Sequence, residues 1–239
     1  NFEFKESYQA IINTFIIAVS KMVLGLIFPI IVALLLNEVH NMGVKKGIQT
    51  LVYLPHFLSW VTVAGMLRDI LGMDGIVNMF LQKVFGMDPI FFLGNAGMFR
   101  QIVVISDLWK GFGFGMIVYL AAISNIDQSL YEAAQIDGAT ASQILFKIKI
   151  PMIMPSVTIC TFLTLTNGFK MFDQNLSLTG GDPGKKSQLL ALNIYDTFYG
   201  RSGPQWKGIG PAKAVVFFVL VVVIALIQLR STSSKEVQA

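Results

Sequence analysis

Two stretches of this chain are long enough to cross a lipid bilayer and carry no charged side chain: Gly47–Leu67, of 21 residues, and Ile150–Phe169, of 20. A spanning helix needs about 20 predominantly apolar residues to match the hydrocarbon core. Three further charge-free runs of 16 residues, Met22–Asn37, Gly111–Ile126 and Ala214–Leu229, each extend past a single lysine, at Lys21, Lys110 and Lys213. The runs are continuous rather than alternating, and backbone groups left unpaired in lipid are costly, so helices fit and a β-barrel does not. The pattern predicts an all-α polytopic membrane protein with one transmembrane domain over residues 1–239 and spans at about 10–37, 47–71, 98–123, 151–172 and 210–230. Pro29, Pro55, Pro151 and Pro155 are expected to kink or start helices, which packed membrane bundles tolerate.

Composition points the same way. Charged residues make up 13% of the 239, against about 25% in an ordinary soluble domain, and 54% are hydrophobic. Too little polar surface remains to coat a water-soluble globule, which excludes a soluble enzyme and a disordered chain. The net charge of +4 and pI near 9.1 match a nucleic-acid binder in sign alone. In so apolar a chain the basic residues belong at membrane edges, and no nucleic-acid partner is expected. One cysteine, Cys160, excludes an intrachain disulfide and a Cys-rich metal site, and two histidines, His40 and His56, leave little for a His-based metal centre, so no metal is expected. The sequence contains no GxxxxGK[ST] loop, HExxH or GxSxG, so no phosphate cradle and no catalytic residue is predicted.

The connections differ in character. Glu38–Lys46 is short and polar; Gly72–Gly97 is punctuated by glycine, with a short amphipathic helix expected at Ile76–Phe85; Asp173–Gly208 is turn-rich and holds TGGDPGKK and GRSGP. Residues 124–150 stand apart, because helix formers there carry Gln, Glu, Asp and Lys between apolar positions. Ser129–Ile136 reads as one amphipathic helix and Ala139–Lys147 as a second, with Gly138 permitting a sharp turn between them. Ala133, Ala134 and Ala139 keep the surface narrow, Tyr131, Ile136, Ile144, Leu145 and Phe146 supply apolar anchors, and Glu132 offers a charge at the rim. Two readings fit: a helix pair seated in the groove of a soluble partner, or an interfacial amphipathic pair without one.

The stretch EAAQIDGATASQILFKIKIP, Glu132–Pro151, resembles the EAA motif of ABC-importer permeases. Glu132, Ala133, Ala134, Gly138, Ile148 and Pro151 stand at the motif's spacing, with Ile150 where Leu is commoner. LYEAAQIDGA, LTGGDPG, YLPHFLSW, LWKGFGFG and the opening NTF…ALLLNEV resemble the carbohydrate-uptake branch, of multiple-sugar and maltose type, over nearly the whole chain. The resemblance implies a type I importer transmembrane domain, the permease subunit of an ATP-driven sugar or oligosaccharide importer in a bacterial or archaeal cell membrane. Residues 124–150 would be its cytoplasmic coupling segment, with Glu132, Ala133, Ala134, Asp137 and Gly138 against an ABC ATPase. Implied partners are a second permease of paralogous sequence, two copies of that ATPase holding ATP and Mg, and an extracellular or periplasmic solute-binding protein. The chain itself is then no enzyme and binds no cofactor. Within the same superfamily the alternative is a permease for a non-carbohydrate solute such as an amino acid or phosphate. Counting Lys and Arg in the loops leaves orientation undecided, whereas a cytoplasmic motif makes the third span run from outside to inside. Family members carry another helix before this point, so an N-terminal span is expected to be missing, leaving five.

Solute contacts are expected from polar groups on the spans, since burying them in lipid costs several kcal/mol without a partner. Lys21, His56, Trp60, Asp107, Lys110, Asn167 and Lys170 are the candidates, and Asp107 and Lys110, three apart on one helix, share a face and can pair. Resemblance to the maltose-type permease puts His56, Trp60, Asp107, Lys110, Gly111, Phe114, Asn167 and Lys170 along the substrate path. His, Asp and two Lys replace mostly neutral residues of the maltose site, which argues against maltose itself and admits an anionic sugar such as a uronate oligosaccharide. Each of these groups also has a plainer reading. An aromatic on a span serves helix packing, Asp107 with Lys110 serves as a structural ion pair, and Lys21 and Lys213 near span ends snorkel to the interface. Gly111, Gly113 and Gly115 fit close helix approach, and TGGDPGKK is either a contact surface for a binding protein or a plain turn.

Overall fold

A computed structural model describes residues 2–233, and among them the regular structure is entirely helical. In chain order the helices are α1 (Phe2–Asn37), α2 (Met42–Tyr53), α3 (Trp60–Leu71), α4 (Ile76–Phe85), α5 (Phe99–Ser124), α6 (Gln128–Ile136), α7 (Ala141–Ile144), α8 (Ile150–Met152), α9 (Met154–Phe169), α10 (Asp173–Leu178), α11 (Leu190–Tyr199) and α12 (Pro204–Ser233). A 3-10 turn, Leu54–Phe57, follows α2, and a π-helical turn, Leu145–Lys149, joins α7 to α8.

Three helices are continuous, long and apolar enough to cross a membrane: Lys5–Asn37 within α1, all of α5, and Pro204–Thr232 within α12. They lie where the expected spans 10–37, 98–123 and 210–230 lie. The expected spans 47–71 and 151–172 are not single rods. The first is broken between Phe57 and Trp60, and the second bends by 60° between Met152 and Met154. Proline explains both interruptions, because Pro55, Pro151 and Pro155 lack the N–H that an α-helix uses and crowd the carbonyl one turn back. Ser59 then restarts the chain as the N-cap of α3, accepting the Thr62 N–H at 3.1 Å. Counting each bent pair as one span gives five.

The chain divides into two compact units. The first comprises the chain up to Lys21, Phe57–Asp107 and Thr166–Val221; the second comprises Met22–His56, Leu108–Leu165 and the chain from Val222 onward. Ile17, Ala64, Phe99, Val103, Val104, Met171, Leu178 and Leu189 form the core of the first. Ala33, Leu36, Met116, Tyr119, Leu120, Ile123, Ile126, Ile153 and Val157 form that of the second. Lipid tails are as apolar as these side chains, so helices associate through close packing and polar contacts rather than by escaping water. The glycines show where packing is closest. A Cβ on Gly168 would lie 3.1 Å from the Ala18 Cα in the first unit, and one on Gly113 would lie 2.2 Å from the Val52 carbonyl oxygen in the second. Gly115 abuts Pro29, whereas Gly111 faces open space, so close approach accounts for two of the three alternate glycines on α5.

The amphipathic helix expected at Ile76–Phe85 is α4, closed by Gly86 at φ 65°. The TGGDPGKK segment is a bonded structure rather than a simple turn. The Asn175 side chain donates to the Ser187 carbonyl at 2.9 Å and accepts the Leu189 N–H at 2.8 Å, while Asn13 of α1 donates to the Lys186 carbonyl at 2.8 Å. Lys185 and Gln188 both reach the Asp196 carboxylate, at 2.7 and 2.6 Å.

Candidate functional site

The first helix expected in residues 127–150 forms as α6 and is capped at both ends. Asp127 accepts the Ser129 N–H at 2.9 Å at the start of α6, a hydrogen bond that holds its carboxyl below the usual value. At the far end Gly138 takes φ 76°, Ala139 donates to the Ala134 carbonyl at 2.9 Å and Gly138 to the Gln135 carbonyl at 3.0 Å. That is a Schellman closure, which needs a residue in the left-handed region. Thr140 and Gln143 form a reciprocal capping box that starts α7. The second helix begins two residues later than expected and ends as the π-turn. There the Ile150 N–H reaches the Leu145 carbonyl, a wider turn that accommodates the missing donor and bulky ring of Pro151.

This geometry sorts the segment's side chains. Glu132, Ala133, Asp137 and Gly138 are exposed and Ala134 is half-buried. The anchors divide: Ile136 and Phe146 project outward at 85% and 66% exposure, while Tyr131, Ile148 and Ile150 pack on the second unit's core. Apolar side chains this exposed on a capped helix pair fit either of the two readings, a partner's groove or a lipid interface.

The polar candidates on the spans fall into separate groups. In the second unit His56, Phe114 and Tyr53 stack: His56 lies 5.1 Å from Phe114 at 14° and 5.6 Å from Tyr53 at 8°. Lys110 donates to the His56 carbonyl at 2.7 Å, satisfying an acceptor that the helix break after Phe57 leaves without its intrahelical partner. Gly111 lies next to Lys110 and leaves room beside it, since nothing lies within 4 Å of where its Cβ would be. Phe114 is 43% exposed, so the stack presents a ring face and edge of the kind that suits sugar rings. Phe112 packs edge-on against Phe28 at 5.1 Å, and Tyr119 is fully buried, so both serve packing.

In the first unit Asp107 accepts from Lys21 at 2.7 Å, and the Lys21 ammonium also meets the Met171 sulfur at 2.8 Å. Lys21 is 7% exposed, so it does not snorkel. Neither does Lys213, which donates to Ser7 at 3.0 Å and Thr197 at 3.1 Å. Spacing along one helix pointed to Lys110 as a neighbour of Asp107; Lys21, a partner 86 positions away, is visible only once the chain has folded. Trp60 is half-buried, and Asn167 and Lys170 are exposed at the end of α9. Sequence reasoning missed the polar interior of this unit, where Arg100 donates to Asn13 at 2.9 Å and Gln174 to the Val103 carbonyl at 2.9 Å. The only signal was the run of Asn and Gln residues among apolar ones. Among the described residues no cluster of His, Cys, Asp and Glu is arranged to hold a metal.

Apolar helices, two pairs of them bent, flank a capped helical segment, an arrangement of an integral membrane protein. Residues 25–232 match the family described as "Binding-protein-dependent transport system inner membrane component". The probable starch degradation products transport system permease protein AmyD of Thermoanaerobacterium thermosulfurigenes is 33% identical over 239 residues, which is 98% of this chain and 77% of AmyD. The polygalacturonan/rhamnogalacturonan transport system permease protein YteP of Bacillus subtilis is 32% identical over 94% of this chain and 68% of its own. A chain in the crystal structure of a bacterial alginate ABC transporter, in complex with an alginate pentasaccharide-bound periplasmic protein, matches with a TM-score of 0.84 at 35% identity, over 92% of this chain and 76% of that one. The protein belongs to the binding-protein-dependent transport system inner membrane component family. It has the fold of an ABC-importer transmembrane domain, and these relatives bear out the expectation of a carbohydrate-uptake type I permease.

Proposed function

We propose that this chain is one of two permease subunits of an ATP-driven importer of oligosaccharides, acidic ones in particular, with five spans in the residues given. The observation that carries the reading is the exposed, doubly capped helix pair at residues 128–149, which has the form of a plug for a groove in a cytoplasmic ATPase. Glu132, Ala133, Ala134, Asp137 and Gly138 supply its contact face. ATP and Mg are held by that ATPase, two copies of which drive this chain and a paralogous permease between inward-open and outward-open arrangements. A solute-binding protein delivers the sugar on the outer side of a bacterial or archaeal membrane.

Within the second unit His56, Lys110, Gly111 and Phe114 are assigned to solute contact, and within the first, taken by itself, Trp60, Asp107, Asn167 and Lys170. The acidic class is favoured because relatives serve alginate and polygalacturonan, both polyuronates, and because lysine recurs among these residues. An amino-acid or phosphate permease has less support, because these relatives belong to carbohydrate systems.

The test is uptake by the complete importer in proteoliposomes, offered neutral maltooligosaccharides and oligogalacturonides. Import of the uronates that stops without ATP and survives an uncoupler is expected; import that survives ATP depletion would overturn the reading. Two variants address docking. Glu132→Lys reverses the rim charge, and Gly138→Val strains the left-handed turn by about 1–2 kcal/mol. Each is expected to lower uptake about tenfold, while ATP hydrolysis by the free ATPase subunit is unchanged. Full uptake with both would sink the docking assignment.

A further inference from the structure

We propose that Glu38, Lys149 and Tyr131 form a brace that positions the docking segment against the end of α1 and carries the segment's displacement into that helix. The inference rests on the importer reading only for the second half of that statement.

Three observations support it. Glu38 lies one residue beyond α1, and the Lys149 ammonium donates to its carboxylate at 2.9 Å across 111 residues of sequence. Lys149 is only 18% exposed and lies 5.7 Å from the centre of the Tyr131 ring, within cation–π range. Tyr131 sits on α6, the helix bearing Glu132, and its ring packs on the core that includes Ala33 and Leu36 of α1. The last turn of α1 has no basic residue of its own, and although the Glu38 and Val39 N–H groups bond the Leu35 and Leu36 carbonyls, the helix end keeps a partial negative charge that no side chain of α1 offsets. Lys149 supplies the missing cation from the π-turn, where the backbone is widened and set by Pro151.

Charge agrees with the geometry: the Lys149 hydrogen bond and charge hold the Glu38 carboxyl below its ordinary value, and His40 adds to the effect. An exposed ion pair adds little stability by itself. Here its consequence is positional, because one cation ties the end of a spanning helix to both helices of the docking segment. Neither Glu38 nor Lys149 lies on the exposed Glu132–Gly138 face, so the brace acts behind the contact surface.

The test uses the complete importer with Glu38→Lys, Lys149→Glu and the swap carrying both. Amide hydrogen exchange over residues 128–149 reports positioning and is independent of transport. Each single reversal is expected to raise exchange about fivefold or more, and the swap, which restores the ion pair but not the cation beside the Tyr131 ring, to recover about half of that change. Uptake of oligogalacturonide per ATP hydrolysed is expected to fall about fivefold in the single variants and to recover in part in the swap, with ATPase subunits co-purifying throughout. Exchange unchanged in the singles, or a swap no better than the worse single, overturns the brace whether or not uptake is seen. Changed exchange with an unchanged uptake ratio overturns its role in transmission. A parent complex that imports nothing with ATP refutes the importer reading, and the exchange data still decide the positioning.

Discussion

Replacing Gly113 with alanine is expected to lower the thermal midpoint of the detergent-purified permease clearly, although alanine is the better helix former by about 1 kcal/mol. The new Cβ would stand 2.2 Å from the Val52 carbonyl oxygen, 2.7 Å from its carbon and 2.9 Å from the Tyr53 Cα. All three are backbone atoms at the end of α2, so no side chain can rotate away. The two helices must part instead, at a cost near the upper end of about 1–3 kcal/mol. Gly111 provides the control, because its Cβ would meet nothing within 4 Å. Gly111→Ala is expected to keep or raise the thermal midpoint of the detergent-purified complex. If the two variants unfold together, the close approach of α2 and α5 is wrong.

The second large effect concerns Lys21 and Asp107. Removing one partner of a buried ion pair leaves an uncompensated charge and typically costs about 3–5 kcal/mol. Lys21 is 7% exposed and Asp107 28%, so the two removals are unequal. Asp107→Leu strands the more deeply buried charge and should lie at the upper end of that range; Lys21→Met leaves a carboxylate with some access to water and should cost less. The double variant is expected to recover most of the loss, since apolar replacements of a buried pair are often neutral. Thermal unfolding of the four proteins checks the order. A double variant no more stable than Asp107→Leu would mean that the two side chains do not act as a pair.

These cases mark where the sequence could be read. The 16-residue charge-free runs, each extended past one lysine, located α1, α5 and α12, and the amphipathic pattern over Ser129–Ile136 with Gly138 after it marked a helix and its stop. Both are properties of neighbours along the chain. The prolines announced interruptions, yet whether Pro55 would bend or break its span depends on what receives the freed backbone groups, here Ser59 and Lys110. Gly111 and Gly113 look equivalent in sequence; one faces open space and the other a carbonyl, a difference set by another helix. Lys21 was misread for the same reason. Its position near the end of a charge-free run suggested an interface, and its true neighbour lies on α5.

That neighbour has an electrical consequence. A lone charge carried across a bilayer exchanges about 2.3 kcal/mol with the field for every 100 mV of membrane potential. Lys21 and Asp107, 2.7 Å apart, sum to zero. When the helices bearing them move together, the pair transfers no net charge and the voltage does no work on it. A machine driven by a nucleotide can therefore keep two ionised groups in its interior without becoming sensitive, through them, to how strongly the cell is polarised.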